Sequence, residues 1–204
     1  MAIIKSGAST DQLTIDPTSK AARVTLYGSD GTYNGEKRTY RASTIIPLVI
    51  AVTANRTIFN ITGSATTKVT VKRIRVSGLT LTAVAYLAIN AVKYSTSTSG
   101  GTSTVLVAVP LDSAKAVATA VVRAYTAVPT DGALVGTLAS WRSLWQATAA
   151  AAAGIPDVHV FNFGDMPETG GVVLNGVAQE VALLLPVVAG SAATMAIDVE
   201  WTEE

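Results

Sequence analysis

The sequence of 204 residues contains no cysteine and only one histidine, His159. Without cysteine there is no disulfide framework and no thiolate metal site. One histidine also leaves too few nitrogen and sulfur ligands for zinc. His159 is the only candidate base for a Ser–His–Asp triad, and no G-x-S-x-G motif accompanies it. Its spacing from Phe161 and Phe163 places it on an apolar strand face, where we expect a structural role.

Charged and aromatic residues are also scarce. Only 14% of the residues are charged and 6% are aromatic, whereas 49% are hydrophobic, with 33 alanines and 27 threonines. This composition is too apolar for a disordered chain, and threonine and valine favour pleated strands. Either the protein has a large β core, or part of its surface is buried against partners. We favour buried surface, because low surface charge promotes association.

Long hydrophobic runs are absent as well. The opening residues, MAIIKSGAS, do not form the apolar run of a signal peptide. The two longest apolar stretches, Val76–Val92 and Val181–Ile197, are shorter than the ~20 residues of a bilayer span, and glycine or proline interrupts both. We therefore expect a soluble protein that is made in a cytoplasm and has no membrane partner.

The net charge of +1 hides an uneven distribution. Residues 1–100 carry 12 Lys or Arg and 4 Asp or Glu, a balance of +8, whereas residues 101–204 carry 3 and 10, a balance of −7. The charges mix if the two halves interleave in one sandwich; otherwise a basic and an acidic face would dock copies or partners. Both arrangements remain open. The basic residues are scattered rather than clustered, so we expect no nucleic-acid partner.

The first 45 residues predict an extended arm and a connector. Residues 1–20 show little periodicity, and a short alternating strand follows at Arg23–Tyr27. A turn-rich stretch and a charged connector, Glu36–Arg41, complete the region, which is too short to bury a core. We predict a β-sandwich over residues 46–204. We expect the arm to complete a sheet edge that lies partly in a neighbouring subunit.

In one predicted strand of the sandwich region, the alternation of apolar and polar residues shifts by one position. Val69 and Val71 share one parity, whereas Ile74 and Val76 share the other. Side chains alternate strictly between the two faces of a strand, so all four can face inward only if the chain contains an extra residue at Lys72–Arg73. The pattern therefore predicts a β-bulge at that point.

Two segments allow more than one interpretation. The run Leu79–Ser95 is typical of one long bent strand or, from its length alone, of a helix; its threonines favour the strand. The segment Trp141–Gly154 is the best helix candidate, because its tryptophans are four residues apart and an alanine run precedes Gly154 and Pro156. The alternative for that segment is a strand that leads into an alanine-rich loop.

The C-terminal part predicts four strands separated by turns that contain proline or glycine. Their sequences are VHVFNFG, GVVLNG, QEVALLLP and TMAIDVEW. Strands that recur at this spacing, without regular helices between them, indicate an all-β fold. We predict an antiparallel β-sandwich, jelly-roll-like, with an extended N-terminal arm.

Acidic residues occur in two groups that hold no recognisable catalytic pair. Asp165 and Glu168 lie in a predicted turn, and Glu200, Glu203 and Glu204 lie in a predicted terminal tail. Glycosidases place two carboxylates on facing walls of a cleft, so we expect these groups to be solvated or to face an interface. A calcium site at Asp165 and Glu168 is the alternative. We expect no catalytic set, no cofactor and no metal, and so no enzyme.

Several stretches resemble structural proteins of tailed bacteriophages. DQLTIDPTSKAARVTLYGSDG resembles an N-terminal segment of such proteins. VKRIRVSGLTLTAVAYLAI, ATAAAAAGIP, FNFGDMPET and IDVEWTEE resemble the body of small virion proteins. The resemblance covers most of the chain discontinuously and includes no catalytic signature. It implies a virion component, a β-sandwich that attaches to the capsid or to the tail.

These observations lead to a functional hypothesis. We expect a capsid decoration protein that binds the outer shell of the virion as a homo-oligomer, most simply a trimer, with the major capsid protein or another virion protein as partner. The alternative is a tail, neck or baseplate component, including a host-binding module with a sugar site at Trp141 and Trp145. The residues predicted to bind the partner are Arg23, Val24, Leu26, Tyr27, Lys37, Arg38 and Arg41.

Overall fold

The computed structural model describes residues 13–15, 22–24, 37–48, 55–80, 85–145, 157–165, 170–186 and 193–204. Within these ranges the chain forms fourteen β-strands and no helix. The strands are β1 (Leu13–Ile15), β2 (Ala22–Val24), β3 (Arg38–Leu48), β4 (Arg56–Thr62), β5 (Val69–Thr80), β6 (Ala85–Tyr94), β7 (Ser103–Val105), β8 (Val109–Pro110), β9 (Val121–Tyr125), β10 (Leu134–Trp145), β11 (Asp157–Asn162), β12 (Val172–Leu174), β13 (Glu180–Leu185) and β14 (Ala193–Glu203).

Two antiparallel sheets form a sandwich, as the sequence predicts. Sheet I has the strand order β11-β5-β14-β3-β8, with β12 also paired to β5. Sheet II has the order β10-β6-β13-β4-β9-β7. The four C-terminal strands are all confirmed, and they are shared between the two sheets. The predicted all-β sandwich is therefore confirmed.

The eight longest strands pair in nested fashion. In chain order, the first pairs with the eighth (β3 with β14) and the second with the seventh (β4 with β13). The third pairs with the sixth (β5 with β11) and the fourth with the fifth (β6 with β10). Two further contacts, β14 with β5 and β13 with β6, join these pairs into the two sheets. The pairs β3–β14 and β5–β11 therefore lie in sheet I, and the pairs β4–β13 and β6–β10 lie in sheet II.

One hydrophobic core lies between the sheets. β14 shows why: its residues alternate between buried and partly buried along the strand, which is the pattern of a strand with one covered face. Trp201 of β14 stacks on Tyr40 of β3, with 5.6 Å between the ring centroids, and both side chains are fully buried. Aromatic side chains each bury a large apolar area, so this stacked pair contributes substantially to the contact inside sheet I.

The predicted bulge is confirmed, and Lys72 is the extra residue. Glu200 of β14 lies opposite Arg73, but the next residue, Trp201, lies opposite Val71. The bulge lets residues on both sides of the slip face the core. Val69, Val71, Ile74 and Val76 are all fully buried.

Three boundaries differ from those expected. β3 begins at Arg38, so residues 38–45, which the sequence assigned to the arm and connector, belong to a central strand. Leu79–Ser95 is divided between β5 of sheet I, which includes Leu79 and Thr80, and β6 of sheet II, which begins at Ala85, while residues 81–84 lie outside the described residues. Residues 141–145 are the end of strand β10 rather than the start of a helix. Pairing with β6 outweighs the helical spacing there, and the alanine run lies outside the described residues.

The N-terminal unit is a separate compact unit that comprises Met1–Lys37 and Glu204. Within it, β1 and β2 pair with each other, and Leu13 lies opposite Val24. Residues 23 and 24 of the predicted strand Arg23–Tyr27 therefore pair inside their own arm, and the pairing of the arm with a neighbouring subunit stays a prediction. Lys37 and Glu204 form an ion pair. Leu26 and Tyr27 lie outside the described residues.

Gly78 of β5 provides a test of the packing between the sheets. A Cβ atom at this position would lie 2.3 Å from the Thr194 carbonyl oxygen and 2.4 Å from Cζ3 of Trp145, which is fully buried. We expect Gly78→Ala to lower the free energy of unfolding by about 1–3 kcal/mol, because the Trp145 ring must move. Urea denaturation at neutral pH measures this change.

The matched control is Gly136→Ala in β10, where a Cβ atom meets nothing within 4 Å. This substitution should leave stability unchanged or raise it by up to about 1 kcal/mol through the unfolded state. Equal effects of the two substitutions would contradict the packing of Trp145 against Gly78.

Candidate interaction face and the buried carboxylates behind it

The outer face of sheet I, on the side away from the core, is the most chemically varied surface among the described residues. Strand pleating directs alternate residues of β3, β5, β11 and β14 to this face. The residues of this face are Arg41, Ser43, Ile45, Arg73, Arg75, Ser77, Val158, Val160, Ala196, Asp198 and Glu200. It contains charged residues in its centre and apolar residues on both sides.

Ion pairs occupy the centre of the face. Arg73 donates to one oxygen of Glu200 through Nε (3.1 Å) and Nη2 (2.7 Å). Nη2 of Arg41 lies 3.3 Å from Oδ2 of Asp198. Arg75 lies opposite Asp198 in the strand register and has no ion pair among the described residues. Three arginines therefore face two carboxylates, which leaves one positive charge in excess.

This arrangement decides between the two charge distributions that the sequence left open. The arginines come from the basic first half of the chain, and the carboxylates come from the acidic second half. They meet because β14 inserts between β3 and β5. The halves interleave, so the charges mix on this face.

Apolar side chains flank the ion pairs. Ile45 is 70% exposed and Val107 is 81% exposed on one side, where Val109 and Leu111 are also exposed. Val158 and Val160 are exposed on the other side. Two shallow grooves, of about 310 and 600 Å³, run between these residues and the ion pairs. Contiguous exposed apolar residues mark surfaces that contact partners, and here two such groups flank the ion pairs.

Glu203 does not lie in a solvated tail, contrary to expectation. It is the last residue of β14, has the inward parity of Trp201 and is 1% exposed. Its carboxylate accepts hydrogen bonds from the amides of Thr119 (3.0 Å) and Ala120 (3.0 Å), from the Thr119 hydroxyl (2.7 Å) and from Nε1 of Trp201 (3.0 Å). Burial acts to raise the pKa of Glu203, but these donors outweigh it and hold the pKa below its usual value.

The Glu203 contacts fix the segment that precedes β9. Tyr40 strengthens this attachment, because its hydroxyl donates to the Ala116 carbonyl over 2.8 Å. The segment 111–120 begins with Leu111, which lines the larger groove of the outer face. Glu203 therefore helps to position one border of the candidate interaction face.

Glu180 is a second buried carboxylate that the sequence did not identify. It begins β13, is fully buried, and accepts hydrogen bonds from Nδ2 of Asn60 (2.8 Å) and from the amide of Thr98 (3.1 Å). The Thr98 hydroxyl also donates to it. Burial raises the pKa of Glu180 in spite of these donors. Nearby, burial raises the pKa of Tyr94 to about 12. This network holds the segment 95–102 against sheet II.

Trp141 and Trp145, the residues of the alternative sugar site, both contact other aromatic side chains. Trp145 is fully buried, and Trp141 stacks on His159 at 4.7 Å with 9° between the ring planes. His159 meets the edge of Phe161 at 4.6 Å, so it lies on the apolar inner face of β11, as its spacing predicted. Both tryptophan rings are occupied by protein contacts.

The described residues also offer no grouping of metal ligands. They include no cluster of three or more histidine or acidic side chains that suits a metal ion. Asp165 accepts a hydrogen bond from Nδ2 of Asn162 over 2.6 Å, and Glu168, its partner in the calcium alternative, lies outside these residues. None of the described segments is a helix that is long and apolar enough to cross a bilayer.

The seven residues predicted to bind a partner lie in different places. Arg41 belongs to the outer face of sheet I, and Arg38 begins β3 opposite Glu203. Lys37 pairs with Glu204 in the N-terminal unit. Arg23 and Val24 lie in β2 of that unit, and Leu26 and Tyr27 are not described. Of the predicted set, Arg41 is the residue that the structure places on the candidate interaction face.

The two buried carboxylates make opposite predictions for pH dependence. The pKa of Glu203 is lowered on folding, so its stabilising contribution is full above its unfolded pKa of about 4.5 and is lost as pH falls through its folded pKa. We expect Glu203→Gln to lower the free energy of unfolding by about 1–3 kcal/mol at pH 7, and by less in acid. Urea midpoints between pH 3 and pH 7 test this, with Glu200→Gln on the exposed face as control.

Glu180→Gln should have the reverse dependence. Since burial raises the pKa of Glu180, its ionisation destabilises the fold as pH rises through that raised pKa. Glutamine carries no charge, and a rotated Asn60 amide would accept from it through Oδ1, which has no partner at present. We expect the variant to be more stable relative to wild type at pH 7 than at pH 4, because the raised pKa keeps more of Glu180 protonated at the lower pH. A constant difference between these pH values would refute the assignment.

Comparison with known proteins adds no relative from which a role could be transferred. No protein-family model matches the chain. No curated protein and no solved structure matches it either. The functional argument therefore rests on the chain's own residues and on the geometry of the outer face.

Proposed function

We propose that this protein is a structural component of a tailed-bacteriophage virion, and specifically a capsid decoration protein without enzymatic activity. The observation that carries the proposal is the outer face of sheet I, which combines exposed valines and an isoleucine with paired charges. The stretches DQLTIDPTSKAARVTLYGSDG and IDVEWTEE resemble virion proteins, which suggests other virion proteins as the partners of this surface. The two carboxylates that are most buried serve to hold loops, which fits a structural role.

The strand order supports the proposal at the level of the fold. We infer a jelly roll from the nested pairing of the eight long strands. Such nesting is the order expected when a long two-stranded ribbon folds over to form two packed sheets. Jelly rolls occur in viral capsid proteins and also in lectins and cupins. The fold is therefore compatible with a virion role, and the surface has to supply the functional argument.

Attachment to the shell would use two parts of the chain. The outer face of sheet I would pack against the major capsid protein, and residues 1–45 would add contacts through the arm. A ligand that binds only the assembled shell stabilises it by mass action. A homo-oligomer, most simply a trimer, would multiply weak contacts through avidity. The proposed location is thus the outer surface of the capsid.

A tail, neck or baseplate position is the second candidate, since the same face would serve between subunits there. The burial of Trp145 and the stacking of Trp141 on His159 do not support a tryptophan sugar site, the feature expected of a host-binding module. The copy number per particle, measured by quantitative mass analysis of virions, separates the two locations. We expect hundreds of copies; roughly six to twelve would indicate the neck or tail.

Binding to undecorated capsids tests the role of the outer face. Val160 is 43% exposed on this face, and Val135 is 62% exposed on β10 of sheet II. We expect Val160→Asp to weaken capsid binding by about tenfold or more, because a carboxylate would be desolvated in the contact. Val135→Asp is the matched control and should bind as wild type does. Co-sedimentation measures both, and failure of the wild-type protein to bind would refute the decoration role.

The arm is tested by deleting residues 2–20. The sandwich, Arg38–Glu203, forms its own compact unit with its own core, so the deletion should leave its thermal unfolding transition in place. Capsid binding should weaken, because one set of contacts is lost and avidity falls. Loss of the folded sandwich would instead show that the arm is part of the core.

A further inference from the structure

A separate groove lies on the outer face of sheet II, where none of the residues discussed as partner-binding is located. It has a volume of about 510 Å³. Strands β4 and β9 contribute to it, together with the segment that contains Ser97 and Ser103. We call it the hydroxyl groove. The residues that define it are Thr62, Ser97, Thr98, Ser103, Thr119 and Arg123.

Four of the five serine and threonine hydroxyls in this groove already donate their hydrogen atoms to the protein. A hydroxyl has one hydrogen to donate and two lone pairs that accept, so these four oxygens remain available only as acceptors. A ligand must therefore supply several O–H or N–H donors. The internal donations run from Thr62 to the Val121 carbonyl (3.3 Å), from Ser97 to the Val177 carbonyl (3.1 Å), from Thr98 to Glu180, and from Thr119 to Glu203 (2.7 Å).

Arg123, in contrast to the hydroxyls, requires a hydrogen-bond acceptor from the ligand. It is the only charged residue among the described residues that line the groove, it is partly exposed, and it has no ion pair among them. A guanidinium has donors and no acceptor, and it binds carboxylates through charge-assisted hydrogen bonds. The nearby carboxylates, Glu180 and Glu203, are buried and fully engaged with loop donors. Arg123 therefore favours a ligand that carries an anion.

We propose that the hydroxyl groove binds an acidic saccharide, a sugar chain that contains uronic acid residues. Its ring hydroxyls would donate to the threonine and serine oxygens, and one carboxylate would accept from Arg123. A neutral sugar lacks the anion, and inorganic phosphate lacks the array of donors. The volume falls within the range of known small-molecule sites. The proposal is independent of the capsid role, since it concerns the other sheet.

Titration with trigalacturonate, followed by amide chemical shifts of the full-length protein, tests the site. We expect shifts that saturate and that are centred on Thr98, Ser103 and Arg123. The fully methyl-esterified trisaccharide keeps the ring hydroxyls and loses the charge, and it should bind about tenfold more weakly or worse. Inorganic phosphate should also bind more weakly than trigalacturonate.

Two variants and a matched control locate the contacts. Arg123→Gln should weaken trigalacturonate binding by about tenfold or more and abolish the preference over the methyl ester. Ser103→Ala removes a hydroxyl that has no partner among the described residues and should weaken binding by about fivefold. Arg142→Gln changes an exposed arginine in β10, four strands away in the same sheet, and should bind as wild type does.

Three outcomes would overturn the proposal. The first is the absence of any shift up to about 10 mM trigalacturonate, a concentration that would reveal even weak saccharide binding. The second is equal binding of the acid and its methyl ester. The third is phosphate binding as tight as that of trigalacturonate, which would identify a simple anion site at Arg123.

Discussion

The insertion of β14 between β3 and β5 is the interaction on which the rest of the structure depends. Its inward residues, including Trp201, complete the core, and its outward residues, Asp198 and Glu200, complete the ion pairs of the outer face. Its last residue, Glu203, holds the segment before β9. One strand thus determines the core, the charge pattern of the face and the position of a loop, because alternate side chains of a strand serve opposite surfaces.

Hydrogen bonds to two buried carboxylates help to hold the loops. Glu203 binds two successive amides of one loop, and Glu180 binds an amide and a hydroxyl of another. Both carboxylates are buried, so without these donors each would lower the free energy of unfolding. Because the donors come from one loop in one conformation, each carboxylate favours that conformation. In a chain with few large apolar side chains, hydrogen-bonded carboxylates supply the anchoring that apolar loop residues give elsewhere.

Much of the fold could be predicted from the sequence, because strand alternation is a local signal. The slip at Lys72 is visible in four residues, and the structure has the bulge there. Glu203 shares the parity of Trp201, so the same rule would have placed it inside had β14 been extended to its end. Glu180 carried no such signal, since its donors, Asn60 and Thr98, are distant in the chain. At Trp145, a long-range pairing with Ala85 outweighed a local helical spacing. The candidate interaction face could not be predicted without knowing which residues of neighbouring strands lie opposite each other, because Arg73 and Glu200 meet only across paired strands.

The nested pairing also constrains how the sandwich folds. Arg38 lies opposite Glu203, and Arg56 lies opposite Leu185, so the earliest strands of the sandwich pair with its latest. Closing loops of this length costs chain entropy before any contact compensates, which makes such topologies slow to fold. During synthesis, β3 and β5 emerge long before the strand that separates them. Until β14 arrives, they expose unpaired edges and an apolar face, so association with other chains competes with folding during that interval.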